Sequence, residues 1–179
     1  MSSRTAISKP SPDSSTRKEA HLVGLIALGL LLFLFEAYIP KPVPWLKLGL
    51  ANVVTLIALY WYGGKAALLV SISRILIGSV FTGNLLTPGF FLSLGGGLCA
   101  VSAMILLYHS RLFGIWGVSM GGAAFHSLGQ ILVGYFVLFD NPVILQILPY
   151  LIFYSILSGT LIGWIGYLLI KRLEKEFAF

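Results

Sequence analysis

Acidic side chains are scarce in this sequence: six Asp and Glu residues in 179, against twelve Lys and Arg. Only Glu36 lies inside a long apolar run, so no pair of aspartates is at hand to hold magnesium against a diphosphate, and metal-assisted prenyl transfer by this chain alone is not expected. One cysteine, Cys99, sits in an apolar stretch and excludes both a disulfide framework and a thiolate metal site within one chain. The phosphate-loop pattern G-x-x-x-x-G-K-[ST] is missing, which excludes ATP hydrolysis of that kind, and H-E-x-x-H is missing with it. His126 as a hydrolytic base lacks a nucleophile, because the adjacent Ser127 points elsewhere on a helix. No metal, cofactor or catalytic residue is therefore expected. Long polar stretches are also lacking: the polar head, 1–20, and tail, 173–179, are too short for a soluble core. The basic residues fall in ones and twos between apolar runs rather than in a stripe, which argues against nucleic acid.

Apolar sequence fills the remainder. Hydrophobic residues make up 58% of the chain, charged residues 10%, and mean hydropathy is +0.94, a composition suited to lipid rather than water. A membrane-crossing helix needs ~20 apolar residues, so residues 21–172 have room for about six. The expected fold is all-α, a polytopic membrane protein with a disordered cytoplasmic tail over 1–20 and a second cytoplasmic tail over 173–179. The apolar runs are 22–39, 48–62, 66–81, 88–108, 115–139 and 143–170. Between them stand Pro40, Pro42 and Pro44; Gly63-Gly64-Lys65; Thr82-Gly83-Asn84; His109-Ser110-Arg111; and Asp140-Asn141-Pro142. With six alternating spans, nine basic residues (Arg4, Lys9, Arg17, Lys18, Lys65, Arg111, Lys171, Arg172, Lys175) share one side with both termini, and only Lys41 and Lys47 fall on the other. Positive charge accumulates on the cytoplasmic side, so both termini are expected there, in a plasma-membrane protein.

The informative residues are polar groups within these runs, since an ionisable side chain at the bilayer centre costs roughly 2.5–3.5 kcal/mol on insertion scales and needs a partner. Glu36 is near the end of the first run, Asn52 early in the second, Arg74 mid-way along the third, Asn84 at its exit, and His126 and Gln130 in the fifth. At 1.5 Å per residue Arg74 lies ~14 Å from Lys65, and His126 and Gln130 lie about 16–22 Å beyond Ile115. These depths converge on an outward-opening polar cavity walled by the first, second, third and fifth helices, with Lys41 and Lys47 at its mouth. His126 and Gln130, spaced i, i+4, share a helix face. Plainer roles compete: Arg74 as a structural partner of Glu36, His126 and Gln130 as interhelical hydrogen-bonding groups, Lys41 and Lys47 as interfacial anchors, Asn52 and Asn84 as helix caps. Glycines at 95–97 and 117–122 suit close helix packing, and Ala20 with Gly24, at the same small-xxx-small spacing, forms a candidate docking strip for a partner helix.

Four stretches together resemble a known family: FEAYIPKPVPWLKLGLANVVTLIALYWYG (35–63), SRILIG with TGN (73–84), SLGGGL (93–98) and GVSMGGAAFHSLGQILVGY (117–135). The chain is similar to the Gx transporter family, whose members are also described as heptaprenyl diphosphate synthase component I, and that family resembles the substrate-binding S components of energy-coupling factor transporters. The resemblance implies a six-helix bundle that binds a small polar or anionic solute from outside and relies on a membrane coupler and ATPases. The synthase description implies instead an accessory subunit, working with a soluble prenyl synthase in making the menaquinone side chain.

Overall fold

The computed structural model describes residues 12–39, 49–139 and 142–177. They form six α-helices: α1 (Pro12–Tyr38), α2 (Ala51–Tyr62), α3 (Gly64–Phe81), α4 (Pro88–Ser110), α5 (Ile115–Val133) and α6 (Leu148–Phe177). A π-helical segment, Gly134–Phe139, continues α5, and a 3-10 segment, Pro142–Ile147, leads into α6. No strand occurs among the described residues, and the chain is an all-α membrane protein.

The helix ends follow the punctuation in the sequence. Gly63 breaks α2 from α3 at φ +84°, in the region that a side chain disfavours, and its N–H still closes α2 on the Leu59 carbonyl at 3.0 Å. Gly83 makes the α3–α4 turn at φ +65°. Thr87 then caps α4, its hydroxyl oxygen accepting from Phe90 N–H, with Pro88 at the first helical position. Two expected boundaries shift. Helix α1 already begins at Pro12, within the segment expected to be a disordered tail, because proline at a first helical position followed by Asp13 is itself a helix-start signal. Helix α6 runs on to Phe177, through most of the expected C-terminal tail, where Lys-Arg-Leu-Glu-Lys-Glu keeps the spacing of opposite charges that sustains a helix. Residues 1–11, and the Asp140-Asn141 break, lie outside the described residues.

Four stretches are long and apolar enough to cross a membrane: 16–38, 64–81, 88–110 and 145–172. The other two depart from the expected set for different reasons. Helix α2 has 12 residues and rises only ~18 Å, against ~30 Å of hydrocarbon. Helix α5 has 19 residues, but His126, Gln130, two serines and four glycines dilute its apolar character.

Successive helices run antiparallel. His21, early in α1, meets the Tyr62 hydroxyl at the end of α2 at 2.8 Å, while Glu36, late in α1, meets Gly49 just before α2. Helix α2 occupies the centre, packed against α1, α3 and α6, and every residue from Ala51 to Leu59 is buried. Val54, Leu56, Ala58 and Leu59 of α2 share one core with Ala67, Val70, Val101, Met104 and Val118. Large apolar side chains such as Leu31, Phe35, Leu106, Phe153, Leu157 and Trp164 are left on the outside. That pattern suits lipid, where exposing them costs nothing.

Apolar burial drives helix association weakly in a bilayer, so close backbone approach carries more of the packing. A Cβ on Gly129 would lie 2.7 Å from the Gly95 carbonyl oxygen, and one on Gly159 would lie 2.7 Å from Met120 Cα. The glycine runs therefore serve as contact surfaces joining α4 to α5 and α5 to α6.

Candidate functional site

Glu36, Asn52, Arg74, His126 and Gln130, taken from α1, α2, α3 and α5, all line one cavity of about 50 Å³. It lies toward the bundle end that carries the α1–α2 connection. Arg74 is 5% exposed and Glu36 4%, so two full charges sit inside the bundle. The Arg74 Nη2 donates to the Asn52 side-chain oxygen, and the Gly49 N–H donates to Glu36 Oε1 at 2.7 Å. Each charge thus has a neutral hydrogen-bond partner, rather than the direct Glu36–Arg74 pairing as its holding contact. Arg74 Nε is buried with no hydrogen-bond partner among the described residues.

Local sequence explains the placement. Arg74 packs against α1 at Gly29, where a Cβ would meet its Cδ at 3.6 Å, an ordinary contact distance. Gly96 makes room for the other wall, since a Cβ at that position would lie 2.8 Å from Gln130 Cγ and 3.0 Å from His126 Cε1. On α5, Ser119, Ala123, His126, Ser127 and Gln130 fall on one helical face and line the cavity together. Ser127 was expected to turn away from His126; it borders the same cavity, because neighbours on a helix are only about 100° apart and this cavity is wide enough to touch both.

Sequence reasoning missed two walls. Ser93 of α4 and Tyr154, Ser155 and Ser158 of α6 also line the cavity. The available signal was the i, i+1, i+4 spacing of Tyr154, Ser155 and Ser158 along an otherwise apolar helix. The serine hydroxyl protons along these walls are directed into the protein. Ser93 donates to the Gly89 carbonyl at 2.7 Å, Ser119 to Gly159 at 2.7 Å, and Ser155 to Leu151 at 2.6 Å. Because Ser155 has given its proton to Leu151, Ser127 is the donor in the Ser127–Ser155 hydroxyl pair that joins α5 to α6. In a double-mutant cycle, Ser127→Ala and Ser155→Ala should show a coupling of about 0.6 kcal/mol, the usual size for such pairs in membrane bundles, measured as reversible unfolding in detergent.

One expected site residue, Asn84, does not join this cavity. Asn84 is exposed in the α3–α4 turn, where its N–H donates to the Ser79 carbonyl at 2.9 Å and its carbonyl accepts from Thr87 Oγ1 at 2.7 Å. Its role there is to build the turn, because α3 ends at Phe81, before the helix could carry residue 84 inward. Lys41 and Lys47 lie outside the described residues. Ala20 and Gly24 are exposed on α1, and a Cβ on Gly24 would meet nothing within 4 Å.

Residues 25–169 match the family described as heptaprenyl diphosphate synthase component I. The chain belongs to that family. The matched region contains all five cavity residues named from the sequence, the whole of α2, α3, α4 and α5, and parts of α1 and α6. No curated protein and no solved structure matches the chain.

Proposed function

We propose that this chain is a non-catalytic membrane component whose cavity binds a small polar or anionic solute, while chemistry or energy is supplied by a separate chain. The observation behind the binding role is the enclosure of Glu36, Asn52, Arg74, His126 and Gln130 around one space, with a buried guanidinium N–H left for a ligand to accept from. The family description favours a soluble prenyl diphosphate synthase as the separate chain, with this component holding it at the bilayer, where a long prenyl product partitions. The distribution of basic residues supports six crossings with both termini cytoplasmic, an arrangement in which the cavity would lie toward the outer face.

A second reading, the substrate-binding subunit of a transporter driven by a membrane coupler and ATPases, is favoured by the cavity itself and by the exposed strip at Ala20 and Gly24. Gentle extraction of the tagged chain from its own membrane, followed by mass spectrometry, separates the two. Recovery of a soluble prenyl synthase, whose rate or product length changes when this chain is added back, supports the accessory role. Recovery of a membrane coupler with ATPases overturns it in favour of transport. Gly24→Leu should then release that coupler without lowering Tm, since Gly24 is exposed and a Cβ there meets nothing within 4 Å.

A further inference from the structure

The charge and proton inventory of the cavity is more specific than its polarity. Among its described lining residues the formal charges are one of each sign, Arg74 and Glu36, with histidine counted neutral. Arg74 supplies donors, and its Nε has no acceptor among the described residues. Asn52, whose oxygen accepts from Arg74, keeps an amide N–H2 beside it, and the acceptors come from the carboxylate and the serine hydroxyls. Glu36 takes one N–H, from Gly49, and a carboxylate has room for about four. Ser119, Ser127 and Ser155 give their protons to other protein groups, and Ser158 donates to the Ser155 carbonyl at 3.3 Å, so these lining hydroxyls can act toward a ligand only through oxygen lone pairs.

Space adds a second restriction. The cavity of about 50 Å³ is far below the ~300–1,000 Å³ of ordinary small-molecule sites, and holds the equivalent of a few waters. A small solute carrying only negative charge would satisfy Arg74 but give the described cavity a net negative charge beside Glu36, at a depth where unpaired charge is expensive. It would also bring no donor for the carboxylate and the hydroxyl oxygens.

We propose that the solute is a small zwitterion of amino-acid type, its acidic group accepting from Arg74 and its ammonium group donating to Glu36 and the serine oxygens. Such a ligand leaves the net charge of the site unchanged and fills both halves of its hydrogen-bonding demand. The inference rests on the reading of this cavity as a binding site.

The test is a thermal-shift series on the full chain in detergent, using the proteinogenic amino acids, the matched acids lacking the amine, the matched amines lacking the acid, and inorganic phosphate. At least one amino acid should raise Tm by on the order of 5 °C at about 100 times its Kd, while its acid-only and amine-only counterparts do not. Glu36→Gln, whose amide oxygen can still accept from Gly49, should lose the response. Stabilisation by an acid-only compound or by phosphate that persists in E36Q overturns the proposal in favour of an anion site. So does the absence of any response across the series. The wild-type arm depends on no variant folding. Failure of the binding reading itself is seen separately: protein extracted gently from its membrane would then carry no small molecule at all.

Discussion

Arg74→Gln protein should insert into the membrane at wild-type levels and bind its solute about 30-fold to several thousand-fold more weakly. Insertion should not suffer, because a neutral amide replaces a charge whose own insertion costs roughly 2.5–3.5 kcal/mol at the centre of a membrane helix. Binding should suffer because truncating one partner of a buried, hydrogen-bonded charge pair costs roughly 2–5 kcal/mol. The glutamine can still meet the Asn52 side chain, so the helices keep a contact there, but it brings no positive charge to the site. Lysine at the same position restores charge without the planar guanidinium that reaches both Asn52 and a ligand, and should recover only part of the affinity. Equilibrium binding to purified protein decides the matter: unchanged affinity in R74Q would leave Arg74 a structural residue and remove the main support for the cavity as a ligand site.

Gly129→Val should lower Tm by about 5–10 °C, more than any substitution on the outer face of α1. The first added carbon would lie 2.7 Å from the Gly95 carbonyl oxygen and 2.8 Å from Cys99 Cβ and Sγ. A carbonyl on a packed helix cannot rotate away as the tip of a long side chain can, so α4 and α5 must separate. Overpacking of this kind typically costs 1–3 kcal/mol and costs more when backbone has to yield. Since His126 and Gln130 stand on the same helix as Gly129, the movement also displaces a wall of the cavity. A thermal scan following tryptophan fluorescence, with Gly24→Leu alongside as the substitution that meets open space, provides the comparison. An unchanged Tm in G129V would show that the α4–α5 seam is looser than its geometry implies.

The helical layout was legible because glycine, proline and loss of apolar character mark chain breaks independently of tertiary context. The runs 48–62, 66–81 and 88–108 correspond to α2, α3 and α4, whose ends at Gly63, Thr82, Thr87 and Arg111 lie close to the punctuation itself. The outer limits were less legible, since a charged stretch such as Pro12–Ala20 satisfies helix-start rules and tail composition equally well. For the cavity, Glu36, Asn52, Arg74, His126 and Gln130 stood out because polar groups in apolar runs require partners. Ser93, Ser155 and Ser158 did not stand out, because a serine hydroxyl can satisfy itself on its own helix and so sits in apolar sequence without signalling anything. Asn84 stands at the exit of the third run as its position indicates, but the helix stops at Phe81 and leaves it in the turn, away from the cavity.

The order of the helices along the chain bears on how the protein is made. Synthesis delivers α1 first, and it is mostly exposed on the bundle surface and strongly apolar, so it can reside in lipid before any neighbour exists. Helix α2 follows; at 12 residues it is too short to cross alone and has to wait for company. Arg74 emerges after both, by which time Asn52, its hydrogen-bond acceptor, and Glu36, which shares its cavity, are already in the chain. The most costly residue to bury is therefore translated last of the three, into a membrane where the groups that receive it are already present.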